Sequence, residues 1–260
     1  DIALGLKVVG LLNIQYAIKG SRVYILEVNP RASRTAPFVS KATGNPIVKI
    51  AAQIMAGKTL KDFKLRGTEP AYYSIKESVL PFSRFSGVDI VLGPEMKSTG
   101  EVMGIAVSYG EAFFKSQAGA GQDLPVSGTV FISVKDEDKR SIVFAAKKLQ
   151  DLGFQLVATR GTAKVLRSNG VTVDEVDKCG DGQKDLLRLI REEKIQLILN
   201  TPSGERSQSD MRAIRSAAVM HHVPCVTTLQ GAWAAVNGIE EKIKRESTVC
   251  SLQEYYKSSL

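Results

Sequence analysis

From residue 128 onward, short apolar runs alternate strictly with amphipathic stretches, and this alternation restricts the possible folds more than any other feature of the chain. Runs over 129–134, 155–159, 171–176, 195–200 and 224–227 have strand length and are rich in apolar residues. The segments between them, near 138–152, 162–168, 184–193 and 209–222, and a last one near 232–237, have helical character. Strands separated by whole helices cannot pair as tight hairpins; each connection must cross over the sheet and leave its strands parallel. The pattern therefore predicts an open, Rossmann-like parallel α/β sheet. Ligands of such sheets sit beyond the carboxyl ends of the strands, so that edge is where a site is sought.

The first half has a different pattern. Residues 11–18 and 23–28 are two strand-like runs joined by Lys19-Gly20-Ser21-Arg22, which predicts an antiparallel hairpin. A helix is expected over 46–56, opened by Pro46 and closed by Gly57, with Ile47, Ile50, Ala51, Ile54 and Met55 at helical spacing. A strand is expected over 72–80 and a short helix over 109–117. Between the two halves, small, Gly and Pro residues cluster over 118–128, which reads as an interdomain linker at 119–127.

Composition excludes several classes. No apolar run approaches the roughly 18 residues needed to cross a membrane. Cys179, Cys225 and Cys250 are odd in number and far apart, which argues against a disulfide framework or a C-x-x-C metal site and for a reducing compartment. The net charge of +8 is spread through both halves with no nucleic-acid-binding motif, so small anions explain it as well as a nucleic acid does. The chain begins Asp1-Ile2-Ala3-Leu4, without an initiator Met or a signal-like run, as an internal fragment would.

Two stretches carry chemistry. Glu27 and Asn29 lie two apart on a predicted strand and share a face, with Gln15 on the partner strand. Hard oxygen donors on one face suit Mg²⁺ or Mn²⁺; a solvated hairpin end is the plainer reading. Val157-Ala158-Thr159-Arg160-Gly161-Thr162-Ala163 joins a strand end to a helix start, where N–H groups and hydroxyls can receive an anion. Lys139 follows the first strand of the sheet and Lys178 the third, so both can reach that edge. The plainer reading is that Thr162 caps a helix and the lysines are solvated. His221 and His222 have no metal-like spacing and read as helix-end residues, and Trp233 reads as packing.

Beyond this local chemistry, Gly10-Leu11-Leu12-Asn13-Ile14-Gln15-Tyr16-Ala17, Glu27-Val28-Asn29-Pro30-Arg31-Ala32-Ser33-Arg34-Thr35 and Pro37-Phe38-Val39-Ser40-Lys41-Ala42-Thr43-Gly44 closely resemble the large chain of carbamoyl phosphate synthetase. Tyr72-Tyr73-Ser74-Ile75-Lys76-Glu77 and Ser98-Thr99-Gly100-Glu101-Val102-Met103-Gly104 extend the resemblance over nearly the whole chain. It implies an α/β protein in which residues 1–118 are the C-terminal end of an ATP-grasp domain, the carbamate-phosphorylating one, and 128–260 a methylglyoxal-synthase-like allosteric domain. The whole enzyme of that family is a cytoplasmic ligase that makes carbamoyl phosphate from bicarbonate, ammonia and two ATP, with a glutaminase small subunit as partner and pyrimidine and arginine synthesis as its context. By resemblance, Gln15, Glu27 and Asn29 hold the divalent ions on ATP, and Arg31 and Arg34 face the carbamate and phosphoryl group. Arg34 is equally readable as a structural ion-pair partner.

The resemblance also assigns Lys139, Thr159, Gly161, Thr162 and Lys178 to the phosphate of an allosteric nucleotide, and Asn200, Thr201 and Ser203 to its ribose or base. Glu77 and Thr227 match positions that bind the activator ornithine. Members regulated by N-acetylglutamate carry a Trp near Lys178, so Lys178 points to uridine or inosine monophosphate; Pro202 replaces a common Thr and leaves the base open. Alternatives are a stand-alone methylglyoxal synthase, against which Asn200-Thr201-Pro202-Ser203 stands where that enzyme has its acid, and another ATP-grasp ligase. The glycine-rich phosphate-covering loop of the ATP-grasp fold has no counterpart here, so this stretch is not expected to turn over by itself.

Overall fold

In a computed structural model of the chain, residues 1–257 are described apart from 66, 68–69, 85–94, 177–180, 202–203 and 247–248. Two compact units form, one from Asp1–Tyr72 with Val249–Leu260 and the other from Tyr73–Thr248.

The first unit begins with a single helical turn, α1 (Ile2–Gly5), followed by the hairpin β1 (Asn13–Lys19) and β2 (Arg22–Asn29). The pairing is antiparallel, and its register shifts beside Gln15, where Gln15 opposes Glu27 but Tyr16 opposes Ile25. Leu26 is thus the extra residue of a bulge, a device that re-aims side chains next to it. Helices α2 (Thr35–Thr43) and α3 (Ile47–Met55) follow. Gly44 closes α2 with a φ of 69°, a left-handed conformation that costs a residue without Cβ little. Burial in this unit is modest, centred on Ala36, Ala42, Ile50, Ala51, Tyr72 and Tyr255. Tyr255 lies on the last helix, α10 (Leu252–Lys257), and meets Tyr72 edge to face at 5.4 Å. Tyr72 and Tyr256 donate their hydroxyls to the carbonyls of Ala42 and Lys41, at 2.8 and 2.7 Å.

The second unit opens with an antiparallel pair, β3 (Tyr73–Val79) and β4 (Gly100–Ala106), covered by α4 (Tyr109–Gly119). Sequence reading anticipates β3 but not its partner. At Gly104, a Cβ would run into the Ala112 carbonyl, so glycine is what lets α4 lie directly on β4. The parallel sheet follows: β5 (Thr129–Ser133), α5 (Lys139–Asp151), β6 (Gln155–Thr159), α6 (Arg160–Ser168), β7 (Asp174–Val176), α7 (Asp181–Arg191), β8 (Leu197–Asn200), α8 (Gly204–Met220), β9 (Cys225–Val226) and α9 (Leu229–Lys244). Its strand order is β7-β6-β5-β8-β9, all parallel, so the chain reverses its direction of growth between β5 and β8. Alternation along β5 divides two cores. Val130 and Ile132 pack with residues of α5, α6 and α9, whereas Phe131 packs with Leu186, Ile190, Ile198 and Ile214 on the α7–α8 side.

Two helix boundaries differ from the sequence expectation. The final helix, expected over 232–237, runs Leu229–Lys244, because the Thr228 hydroxyl caps it by accepting from Gly231 N–H at 3.0 Å and apolar residues continue through Ile239. Gly238 lies inside this helix, and a Cβ there would come 3.2 Å from the Gly110 carbonyl, a tight fit where α9 meets α4. The segment 119–127 lies wholly inside the second unit; Leu124 is 2% exposed, and its carbonyl accepts from Lys242 Nζ at 2.8 Å. Finally, α6 begins at Arg160, earlier than the expected 162.

Candidate functional site

At the end of the hairpin, the cross-strand register sets Gln15 directly opposite Glu27 and Asn13 opposite Asn29. All four side chains share one face because strand positions alternate. Asn29 Nδ2 donates to Glu27 Oε1 at 2.9 Å, a bond that uses neither the amide oxygen of Asn29 nor the second carboxylate oxygen of Glu27. Asn13 belongs to the same face, its Nδ2 donating to Ser33 Oγ at 3.3 Å. Sequence reasoning missed Asn13, which the i, i+2 spacing from Gln15 would have shown. The chain turns just after Asn29, where Arg31 N–H donates to the Asn29 carbonyl at 2.8 Å. Arg31 is exposed, its Nη1 donating to the Ala32 carbonyl at 3.0 Å, and Arg34 stands at the N-cap of α2. One carboxylate and two amide oxygens on an exposed face are hard donors that fit a divalent ion already carrying phosphate oxygens.

The second constellation lies at the carboxyl edge of the parallel sheet. Here β5 ends at Ser133, β6 at Thr159 and β8 at Asn200, with Ser133 and Asn200 in register across the reversal point. Thr159 Oγ1 is 3.3 Å from both Ser133 Oγ and Thr162 Oγ1, and Thr162 Oγ1 accepts from the Val134 N–H at 3.3 Å. Thr162 is therefore not the helix cap; the N-cap is Thr159, whose side chain joins this hydroxyl cluster instead of bonding to the helix. Thr201 Oγ1 accepts from Lys135 N–H at 3.0 Å and its own N–H donates to the Ser133 carbonyl at 3.0 Å, tying the β5 and β8 ends together. Lys139 Nζ reaches over the first turn of α6. A Cβ on Gly161 would lie 2.8 Å from it, and it pairs with Asp136 Oδ1 at 2.6 Å. Lys139, Thr159, Gly161, Thr162, Asn200 and Thr201 thus share one edge, with Ser133 as an unanticipated member. Lys178 and Ser203 lie outside the described residues.

A third group gathers around a cavity of about 470 Å³, whose lining includes Glu77, Gln117, Arg215, His222, Cys225 and Thr227. Glu77 is fixed there. Its Oε2 accepts from Gln117 Nε2 at 2.7 Å and its Oε1 from Ser78 N–H at 3.1 Å. Burial pushes the Cys225 thiol up to about 11, against the pull of the nearby Arg215 charge. Glu77 and Thr227, far apart in sequence, are brought to the same cavity; Arg215 and Gln117 were not anticipated. Among the described residues no cluster of three His, Cys, Asp or Glu side chains suits a metal, and no helix is long and apolar enough to cross a membrane.

Comparison with known proteins adds identity to this geometry. Residues 1–63 match the model of the carbamoyl-phosphate synthase L chain, ATP binding domain, and 141–227 that of the MGS-like domain. The carbamoyl phosphate synthase large chain of Acidobacterium capsulatum is 52% identical over 97% of this chain and 24% of its own length. The carbamoyl phosphate synthase large chain, C-terminal section, of Methanocaldococcus jannaschii is 51% identical over 97% of this chain and 43% of its own. A methylglyoxal synthase from Elizabethkingia anophelis has a TM-score of 0.37 at 19% identity, covering 47% of this chain and 94% of its own, too slight a likeness to bear on chemistry. The chain spans 24% of the length of the Acidobacterium relative and 43% of the Methanocaldococcus one. With about half of its residues identical across nearly its whole length, and with both parts matched, the chain belongs to the carbamoyl phosphate synthase large-chain family, whose C-terminal portion it represents.

Proposed function

We propose that this chain is the C-terminal part of an ATP-dependent ligase that forms carbamoyl phosphate from bicarbonate, ammonia and two ATP, working in the cytoplasm with a glutaminase subunit that supplies the ammonia. Residues 1–118 derive from the carbamate-phosphorylating ATP-grasp domain, 128–260 form the allosteric domain, and 119–127 connect the two. Gln15, Glu27 and Asn29 are the residues that hold Mg²⁺ or Mn²⁺ on the nucleotide. Such an ion neutralises charge between phosphate oxygens. Arg31 and Arg34 offer planar donor forks that fit carboxylate-like and phosphoryl oxygens, orienting the carbamate for in-line attack.

In the second domain, Lys139, Lys178 and the Ser133–Thr159–Thr162 hydroxyls receive the phosphate of uridine or inosine monophosphate. Asn200, Thr201 and Ser203 are the residues assigned to its ribose or base. Helix α6 adds N–H groups at its first turn, a favourable place for a phosphate. The Glu77–Thr227 cavity takes ornithine as a second effector.

The observation that carries this reading is the placement of Gln15 across from Glu27, with Asn29 beside it, inside the stretch that matches the ATP binding domain. The test is Glu27→Gln in the full-length enzyme, which keeps shape and removes the charge. Synthesis of ATP from carbamoyl phosphate and ADP is expected to be lost while melting is unchanged; retained synthesis rejects the assignment.

A further inference from the structure

Helix α2 carries Arg34 at its N-cap, in the helical backbone conformation (φ −60°, ψ −24°), so the point from which that guanidinium reaches out is fixed by where α2 lies. The helix has little of its own to hold it there. It is nine residues long, short of the roughly 12–15 that an isolated helix needs, and of its residues only Ala36 and Ala42 are buried. The last four carbonyls of a helix have no partner within it. Two of them in α2 accept from tyrosines far away in the chain: the Lys41 carbonyl from Tyr256 at 2.7 Å and the Ala42 carbonyl from Tyr72 at 2.8 Å. Both bonds depend on α10. Tyr256 lies on that helix, and its neighbour Tyr255, also buried, meets the Tyr72 ring edge to face and so holds it in place. A reciprocal cap sets α10 in turn: the Ser251 N–H and hydroxyl donate to Glu254 Oε2 at 2.6 and 2.8 Å, and the Glu254 N–H donates back to Ser251 Oγ at 3.3 Å.

We propose that α10 positions the carbamate end of the phosphorylation site: by gripping the C-terminal end of α2 through Tyr255 and Tyr256, it holds Arg34, about 10 Å away along the same helix, in place for the reacting group. The proposal rests on the reading above that Arg34 faces the carbamate and phosphoryl group. Neither tyrosine touches substrate in this arrangement; both are positioning residues. The ion on the nucleotide is assigned to Gln15, Glu27 and Asn29, which stand on the hairpin and not on α2. Loosening the grip is therefore felt at the carbamate end of the reaction and not by ADP.

The assay is ATP synthesis from carbamoyl phosphate and ADP by the full-length enzyme. Tyr256→Phe is expected to lower kcat/KM for carbamoyl phosphate about threefold, the effect of losing one hydrogen bond, with KM for ADP and the melting temperature unchanged. Tyr255→Ala combined with Tyr256→Ala frees the end of α2 and is expected to lower it about tenfold or more, again with KM for ADP unchanged, because small displacements of a group that orients substrate are costly. Arg34→Gln separates the two readings. It is expected to lower the same kcat/KM by itself, and in its background Tyr256→Phe adds nothing, since the residue being positioned is gone. If Arg34→Gln leaves the reaction intact, the reading of Arg34 falls and the role of α10 with it. If Arg34→Gln is damaging but the tyrosine variants are not, or if they raise KM for ADP as much as they lower kcat/KM for carbamoyl phosphate, or add in full to Arg34→Gln, the role of α10 is overturned and the reading of Arg34 stands.

Discussion

Gly161→Ala separates stability from ligand binding at the sheet edge, since the two are expected to move in opposite directions. Gly161 is the second residue of α6, exposed, and its φ lies outside the left-handed region, so alanine fits its backbone. In a helix interior, alanine is favoured over glycine by about 0.5–1 kcal/mol. In a first turn the lower end of that range applies, and about 0.5 kcal/mol corresponds to roughly 1–2 °C in a protein of this size. The new methyl group meets one neighbour, Lys139 Nζ at 2.8 Å, with Cε beyond it at 3.6 Å. A long flexible side chain can swing away at little cost to the fold. Doing so takes its ammonium off the first turn of α6, and losing a charged hydrogen bond to phosphate costs about 1.5–3 kcal/mol. The expected result is therefore an unchanged or slightly raised melting temperature together with about tenfold weaker binding of uridine or inosine monophosphate, read by thermal denaturation and titration calorimetry. A fall of several degrees would refute the packing argument. Undiminished nucleotide affinity would show that Lys139 does not serve that ligand.

Two further outcomes test neighbouring groups. Thr159→Ala removes the hydroxyl between Ser133 and Thr162, and Lys178→Ala removes a cation the sequence places at the same edge; each is expected to weaken the nucleotide at least about tenfold in calorimetry, and N-acetylglutamate binding in its place would point to another effector class. Burial holds the Cys225 thiol up at about 11, so at pH 8 it carries about 100-fold less thiolate than an ordinary thiol. Peptide mass spectrometry after iodoacetamide treatment is expected to show exposed Cys250 alkylated long before Cys225, and equal rates would contradict the burial.

Local rules are enough for much of this protein. Strand and helix periods mark every element of the parallel sheet, because strands buried on both faces must be apolar throughout and the helices covering them must be amphipathic. The i, i+2 spacing of Glu27 and Asn29 is by itself enough to put two oxygen donors on one face. Thr159 ends a strand run and Gly161 opens the helix that follows, both legible in the pattern. Other features depend on partners distant in the chain. Strand β4 has a glycine at each of positions 100 and 104 and little strand signal of its own; it forms by pairing with β3 and lying under α4. Glycine at 121 and 128 suggests a boundary, yet the surrounding segment is packed, because Lys242 on α9 holds the Leu124 carbonyl. The cavity shared by Glu77, Arg215 and Thr227 has no sequence signature, since its walls come from β3, α4, α8 and the β9 end. Sequence determined which residues had to be buried and which strand ends lie along one edge of the sheet, since both follow from periodicity along one element. Only the tertiary structure decided which distant charges share a cavity, because that depends on how separate elements pack against one another.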